Sequence, residues 1–164
     1  MARRQNEPPS RELLENQLSL AFKTNDVGRK VSVLSQLAGS ASRQGLTKQC
    51  DDYLQQALKV AMDSGESTLL ARVFSSIAKA ARKRGDLEQA RDAIGKALNA
   101  NTKTTTSVTK AYIKLDAAYI YSDLRDQENA MFYAQTALDS FSRLGMSKEA
   151  DECLILLDSF DNST

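Results

Sequence analysis

The chain of 164 residues contains no histidine and no tryptophan, and its two prolines, Pro8 and Pro9, both stand near its start. Without histidine, the commonest general base and a frequent metal ligand are missing. The sequence also lacks a glycine-rich phosphate loop, a Cys-x-x-Cys pair and a nucleophile motif. We therefore expect no catalytic residue, no metal site and no cofactor, and we predict that the protein is not an enzyme.

Long apolar runs and paired cysteines are also missing. No stretch approaches the ~20 apolar residues that span a bilayer, so we expect no membrane segment. The basic start, with Arg3 and Arg4, has no apolar stretch behind it and is not expected to act as an export signal. Without such a signal, Cys50 and Cys153 are predicted to be free thiols. Together these features predict a cytoplasmic protein.

Positive and negative charges nearly balance, with a net charge of +1. This balance gives no overall attraction to nucleic acid or to a membrane surface. The charges are unevenly placed, because residues 1–50 have eight Lys or Arg against four Asp or Glu, whereas residues 101–164 have six against ten. Such a charge gradient would steer a binding partner or favour head-to-tail assembly of copies of the chain. The alternative is that these charges are only solvated surface groups, screened by salt.

The sequence predicts an all-α fold, because no segment shows the period-2 alternation of a strand. No proline follows Pro9, so capping residues and glycines set the predicted helix boundaries. The predicted caps are Ser10, Asp26, Asp86, Asp126 and Ser147. About eight helices are expected, at about 11–23, 27–44, 47–64, 68–84, 87–100, 107–124, 127–144 and 147–160. The threonine-rich stretch 101–106 is predicted to be a loop.

The chain repeats itself at an offset of 40 residues, and residues 35–58 align with residues 75–98 without a gap. Alanines recur where helices would cross, at Ala38, Ala78 and Ala118 and at Ala57, Ala97 and Ala137. Such a period predicts stacked helix pairs. We expect one domain over 10–160, made of three repeats at about 27–66, 67–106 and 107–146 between half-repeat helices 10–23 and 147–160. A disordered segment 1–9 and a tail 161–164 would flank it.

The middle repeat shows which helical-repeat family the chain is similar to. Large and small apolar residues alternate at family-like positions on either side of Gly85: Phe74, Ile77, Ala78 and Ala81, then Ala90, Ile94 and Ala97. This pattern resembles a tetratricopeptide repeat (TPR), although the period is 40 rather than the usual 34 and no tryptophan or closing proline is present. The resemblance covers about 10–160. It implies a right-handed solenoid of antiparallel helix pairs, A and B.

The resemblance also implies a groove, lined by the A helices, that holds an extended or helical segment of another protein. Residues at i, i+4, i+7 and i+11 share a helical face. The candidate partner-binding residues on that face are Gln36 and Arg43, then Arg72, Ser76, Lys79 and Lys83, then Tyr112, Asp116, Tyr119 and Asp123. A basic centre and an aromatic–acidic end favour binding. The alternative is a solvated face whose charges neutralise one another, such as Lys79 or Lys83 with Asp116.

The sequence therefore predicts a non-enzymatic adaptor or scaffold that binds a partner protein, and neither nucleic acid nor a membrane. The clamp that holds C-terminal carboxylates in some proteins of this family is not expected, because Asp116 would repel a carboxylate. Two alternatives stay open. One is a structural unit whose copies assemble through the end helices, and the other is a small TPR-type chaperone.

Overall fold

Consecutive helices fill the part of the chain that a computed structural model describes, residues 10–100 and 106–161. Within it lie eight helices and no strand: α1 (Arg11–Lys23), α2 (Val27–Arg43), α3 (Thr47–Ser64), α4 (Ser67–Arg84), α5 (Leu87–Asn99), α6 (Ser107–Asp123), α7 (Gln127–Arg143) and α8 (Ser147–Asp161). The all-α prediction is confirmed. The predicted disordered segment 1–9, the loop residues 101–105 and the tail residues 162–164 lie outside the described residues.

Aspartates cap three of the helices by accepting a hydrogen bond from a backbone N–H three residues on. The Oδ1 atoms of Asp26, Asp86 and Asp126 accept at 2.9, 3.1 and 3.2 Å, respectively. Each such cap contributes ~1 kcal/mol, because it pairs an N–H that has no partner inside the helix. All three are the predicted caps, so local sequence chemistry fixes where these helices begin.

The start of α6 at residue 107 was predicted correctly but its cap was not identified, and the predicted cap of α8 was wrong. Thr106, assigned to the loop, caps α6, because its hydroxyl is placed to accept from the Thr109 N–H at 3.2 Å. Ser147, predicted as a cap, is the first residue of α8. The Ala150 N–H already bonds to the Met146 carbonyl at 3.0 Å, so Ser147 lies inside the helix rather than before it.

Residues with a left-handed backbone conformation follow several helices, and the chain reverses direction within a few residues of each. Gly45, Gly85 and Arg125 have φ values of 73°, 79° and 59° and follow one another at intervals of 40 residues. Glycine adopts this conformation without steric cost, whereas arginine does not. The backbone of Arg125 is therefore under strain that Gly45 and Gly85 avoid.

The helices form two compact units, of which the first ends at Gly65 and contains α1, α2 and α3. Leu14, Val33 and Leu37 form a buried cluster in this unit, and Leu18 and Tyr53 pack against it. Cys50 is buried here and forms no disulfide, as predicted.

The second unit begins at Glu66 and contains α4 to α8. Alanines at the predicted crossing positions in this unit are fully buried: Ala78, Ala97, Ala118 and Ala137. Small side chains let helix backbones approach closely, while Ile94, Ile113 and Phe141 fill the remaining space. The predicted burial of these small residues is confirmed.

Candidate functional site

Two rows of predicted site residues lie next to each other in the second unit, on α4 and α6. We call this surface the A-face: Arg72, Ser76, Lys79 and Lys83 on α4, with Tyr112, Asp116, Tyr119 and Asp123 on α6. Helix α4 carries five basic residues and no acidic one. Arg72, Lys79 and Lys83 on it are exposed. The A-face therefore has a strongly basic edge.

The largely buried carboxylate of Asp116 joins the two rows. The Ser75 hydroxyl donates to Asp116 Oδ2 at 2.6 Å, and Lys79 Nζ lies 3.6 Å from the same oxygen. The Asp116 side chain is only 15% exposed. Burial raises its pKa, and this effect is opposed by the charge of Lys79 and the hydrogen bond from Ser75. The pair of Lys79 with Asp116 is the neutralising contact that the sequence allowed.

A second contact between the rows uses Arg82, which was not among the predicted site residues. Its Nε bonds to Asp123 Oδ2 at 2.5 Å, and its guanidinium lies 4.8 Å from the centre of the Tyr119 ring. Arg82 stands 41 residues before Asp123, and Ser75 stands 41 before Asp116. An offset of 41 residues, one more than the sequence period, would therefore have pointed to both contacts.

Helix α8 supplies two carboxylates that the sequence-based prediction missed. The hydroxyl of Tyr112 donates to Glu149 Oε1 at 2.8 Å, and that of Tyr119 donates to Glu152 Oε1 at 2.6 Å. Burial raises the pKa of each tyrosine to about 12, and the bonded carboxylate adds to the effect. Tyr112 also packs edge-on against Phe141, with ring centres 5.1 Å apart. The tyrosines are held in place, yet the Tyr112 side chain stays 40% exposed.

The remaining predicted residues, Gln36 and Arg43, lie on α2 in the first unit and are exposed. Gln36 Nε2 donates to Ser32 Oγ at 3.4 Å, one turn away. Both side chains are available to solvent within that unit, and they form a separate polar row on α2.

The described residues offer few side chains for catalysis or metal binding. They contain no group of three or more His, Cys, Asp or Glu side chains that could hold a metal ion. They also contain no helix long and apolar enough to cross a membrane. Burial raises the pKa of the Cys153 thiol to about 11, so at neutral pH this sulfur is protonated and a weak nucleophile.

Comparisons with known proteins agree with the helical-repeat architecture. Two family models described as Tetratricopeptide repeat match residues 30–103 and 111–142, well over half of the chain together. The crystal structure of BtubC (BKLC) from P. vanneervenii is similar, with a TM-score of 0.76 and 24% sequence identity over 90% of this chain and 62% of that one. This likeness shows the fold alone. No curated protein matches the chain.

Proposed function

The chain belongs to the tetratricopeptide-repeat family, whose repeats are generally protein-interaction modules, and on that premise we propose that it is a non-enzymatic adaptor. It binds an acidic segment of another protein at the A-face. The cytoplasm is its proposed compartment, in keeping with two buried cysteines that form no disulfide.

The observation that carries this proposal is the one-sided charge of α4. Asp116 and Asp123 of α6 balance Lys79 and Arg82. Arg72 and Lys83 have no ion pair or hydrogen bond of their side chains within the described residues. An edge of unbalanced cations attracts acidic segments over several ångströms and raises their rate of association.

Tyr112 provides the apolar part of the proposed contact. Tyr112 is 40% exposed and its ring contacts Phe141 and Glu149, so little conformational entropy is lost when a partner packs against it. Aromatic side chains with this combination of exposure and rigidity often carry much of the energy of an interface. An acidic segment with one apolar anchor would satisfy both parts of the A-face.

Site-specific photo-crosslinking in cells tests the proposal, because it captures the partner and marks the segment that is bound. A benzophenone amino acid replaces Ser76, between Arg72 and Lys79, in one variant and the exposed Lys59 of α3 in the matched control. We expect the Ser76 variant to capture a protein through an acidic segment, and added salt to reduce the yield in extracts. Capture from position 59 alone, or of a segment without acidic residues, would contradict the proposal.

A second candidate function is assembly of copies through the end helices. Leu13 and Leu20 on α1 are 47% and 48% exposed, and Leu154 and Ile155 on α8 are 45% and 71% exposed. Exposed apolar side chains grouped on one helix favour contact with another surface. Sedimentation at high micromolar concentration tests this: assembly that Ile155→Asp abolishes supports it, and a monomer removes it.

A further inference from the structure

A groove of about 520 Å³ runs along the solvent-facing side of α5 and is separate from the A-face. Glu88, near the start of α5, lies at one end of the groove, and Asn99, at the end of that helix, lies at the other. Tyr121 of α6 forms the aromatic part of its wall. None of its lining residues belongs to the A-face, so the proposed function leaves this groove unused.

Gly95 keeps the middle of the groove open. It lies inside α5, where glycine is less favourable than alanine because it gives the unfolded chain more freedom. A Cβ atom at this position would meet nothing within 4 Å. Packing within the described residues therefore gives no reason for a glycine, and the physical result of having one is space in the groove.

Tyr121, the aromatic residue that lines the groove, belongs to a set of three rings in contact with one another. Tyr121 stacks on Tyr133 with ring centres 5.5 Å apart and planes 12° apart, and Tyr133 meets Phe132 edge-on at 5.2 Å. Phe132 is 58% exposed. Neither tyrosine hydroxyl has a hydrogen-bond partner in the described part of the chain. Tyr121 thus offers the groove aromatic surface together with an unused hydroxyl donor.

The charges along the groove are matched except at Glu88. Lys96 Nζ bonds to Asp92 Oδ2 at 2.7 Å. The pKa of Asp126 is lowered by hydrogen bonds from Asn129 and, in addition, by the charge of Arg91, which places that cation near a carboxylate. Glu88 is exposed and has no ion pair in the described residues. A basic group in an occupant of the groove would complement it.

We infer that this groove binds a proline-rich segment of a partner protein in the polyproline II conformation, with a basic residue of that segment beside Glu88. Prolyl rings pack on aromatic surface such as that of Tyr121, and the carbonyls of such a segment have no internal partners, so one of them can accept a hydrogen bond from the Tyr121 hydroxyl. An amphipathic helix fits less well, because its apolar face would remove water from the charged groups of α5. The described residues also contain no strand edge for strand addition.

Fluorescence anisotropy tests the inference with a labelled peptide of about ten prolines and one arginine at each end. We expect saturable binding with a dissociation constant of about 100 µM or lower. Gly95→Gln fills the groove with a side chain that suits a helix, so it is expected to raise the melting temperature while weakening binding at least ~10-fold. Gly95→Ala is the matched control, expected to raise the melting temperature and to leave binding within about 3-fold.

Two further comparisons locate the contacts. Glu88→Gln is expected to weaken binding of the arginine-flanked peptide about 3-fold or more and to leave a glycine-flanked peptide unaffected. Lys83→Glu, on the A-face, is expected to change neither, which separates this inference from the proposed function. The inference fails if the wild-type protein does not bind the proline peptide, or if Gly95→Gln binds it as well as the wild type does. It also fails if an amphipathic helical peptide binds where the proline peptide does not, and if the Gly95→Gln substitution weakens binding of that helical peptide.

Discussion

Replacing Ala97 by leucine tests the helix register directly. Ala97 is fully buried, in a cluster that contains Ala78, Ile94 and Ile113. Leucine adds about three carbon atoms at a point where neighbouring side chains leave no space, so α5 or its neighbours must shift. Overpacking of this kind costs ~1–3 kcal/mol. For a protein of this size the loss corresponds to a fall in melting temperature of roughly 2–12 °C.

Urea unfolding followed by far-ultraviolet circular dichroism measures this cost. The midpoint is expected to fall while the slope with denaturant stays the same, since the surface exposed on unfolding is unchanged. Lys59→Ala, on the exposed side of α3, is the control and is expected to stay within ~0.5 kcal/mol of the wild type. An unchanged midpoint for Ala97→Leu would refute the close helix crossing inferred at this position.

Three other perturbations have definite expected outcomes. Arg125→Gly should raise the melting temperature by roughly 1–4 °C, because glycine adopts the left-handed backbone conformation without strain. Asn25→Gly is the control and should not raise it, because asparagine tolerates this conformation. Equal changes in melting temperature for the two variants would contradict strain at Arg125. Burial raises the folded-state pKa of Asp116, so the wild type should lose stability relative to Asp116→Asn as the pH rises from 4 to 7; urea midpoints showing the opposite trend would contradict this. Deleting 147–164 should expose the fully buried Phe141 and cause aggregation or a lower melting temperature; a monomer of unchanged stability in sedimentation and calorimetry would show that α8 does not cover this core.

Much of the local structure could be predicted because it depends on near neighbours. Asp26, Asp86 and Asp126 cap helices through N–H groups three residues away, so their role follows from a few consecutive residues. The buried alanines were predictable for a related reason, because internal repetition marks the positions where helices must approach closely. Ala78 and Ala97 occupy two of these positions, and both are fully hidden from solvent.

The site was less predictable, because long side chains reach beyond their own row. Arg82 lies one position away from the α4 row that was predicted, yet its guanidinium reaches both Asp123 and Tyr119. The contacts of Tyr112 and Tyr119 with α8 are 37 and 33 residues apart in sequence, not 40. A single offset therefore places helices side by side but does not give the pairing of flexible side chains across them.

The groove along α5 could not be found by the same means. No pattern of three or four consecutive residues marks the groove. Gly95 and Tyr121 are 26 residues apart and meet only through the packing of α5 on α6. A helix-interior glycine with open space around it was the one sequence signal available, and its meaning depends on the neighbouring aromatic rings.

The dissociation constant of the acidic segment crosslinked from position 76, measured at several salt concentrations, tests the central claim most directly. With Lys79→Glu and Lys83→Glu combined, we expect binding at least ~10-fold weaker and a flatter dependence on salt, because the basic edge of α4 is reversed. Lys59→Glu makes the same kind of charge reversal at a single exposed position of α3 and is expected to stay within about 2-fold of the wild type. Equal losses from both variants, or a loss from Lys59→Glu alone, would contradict binding at the A-face.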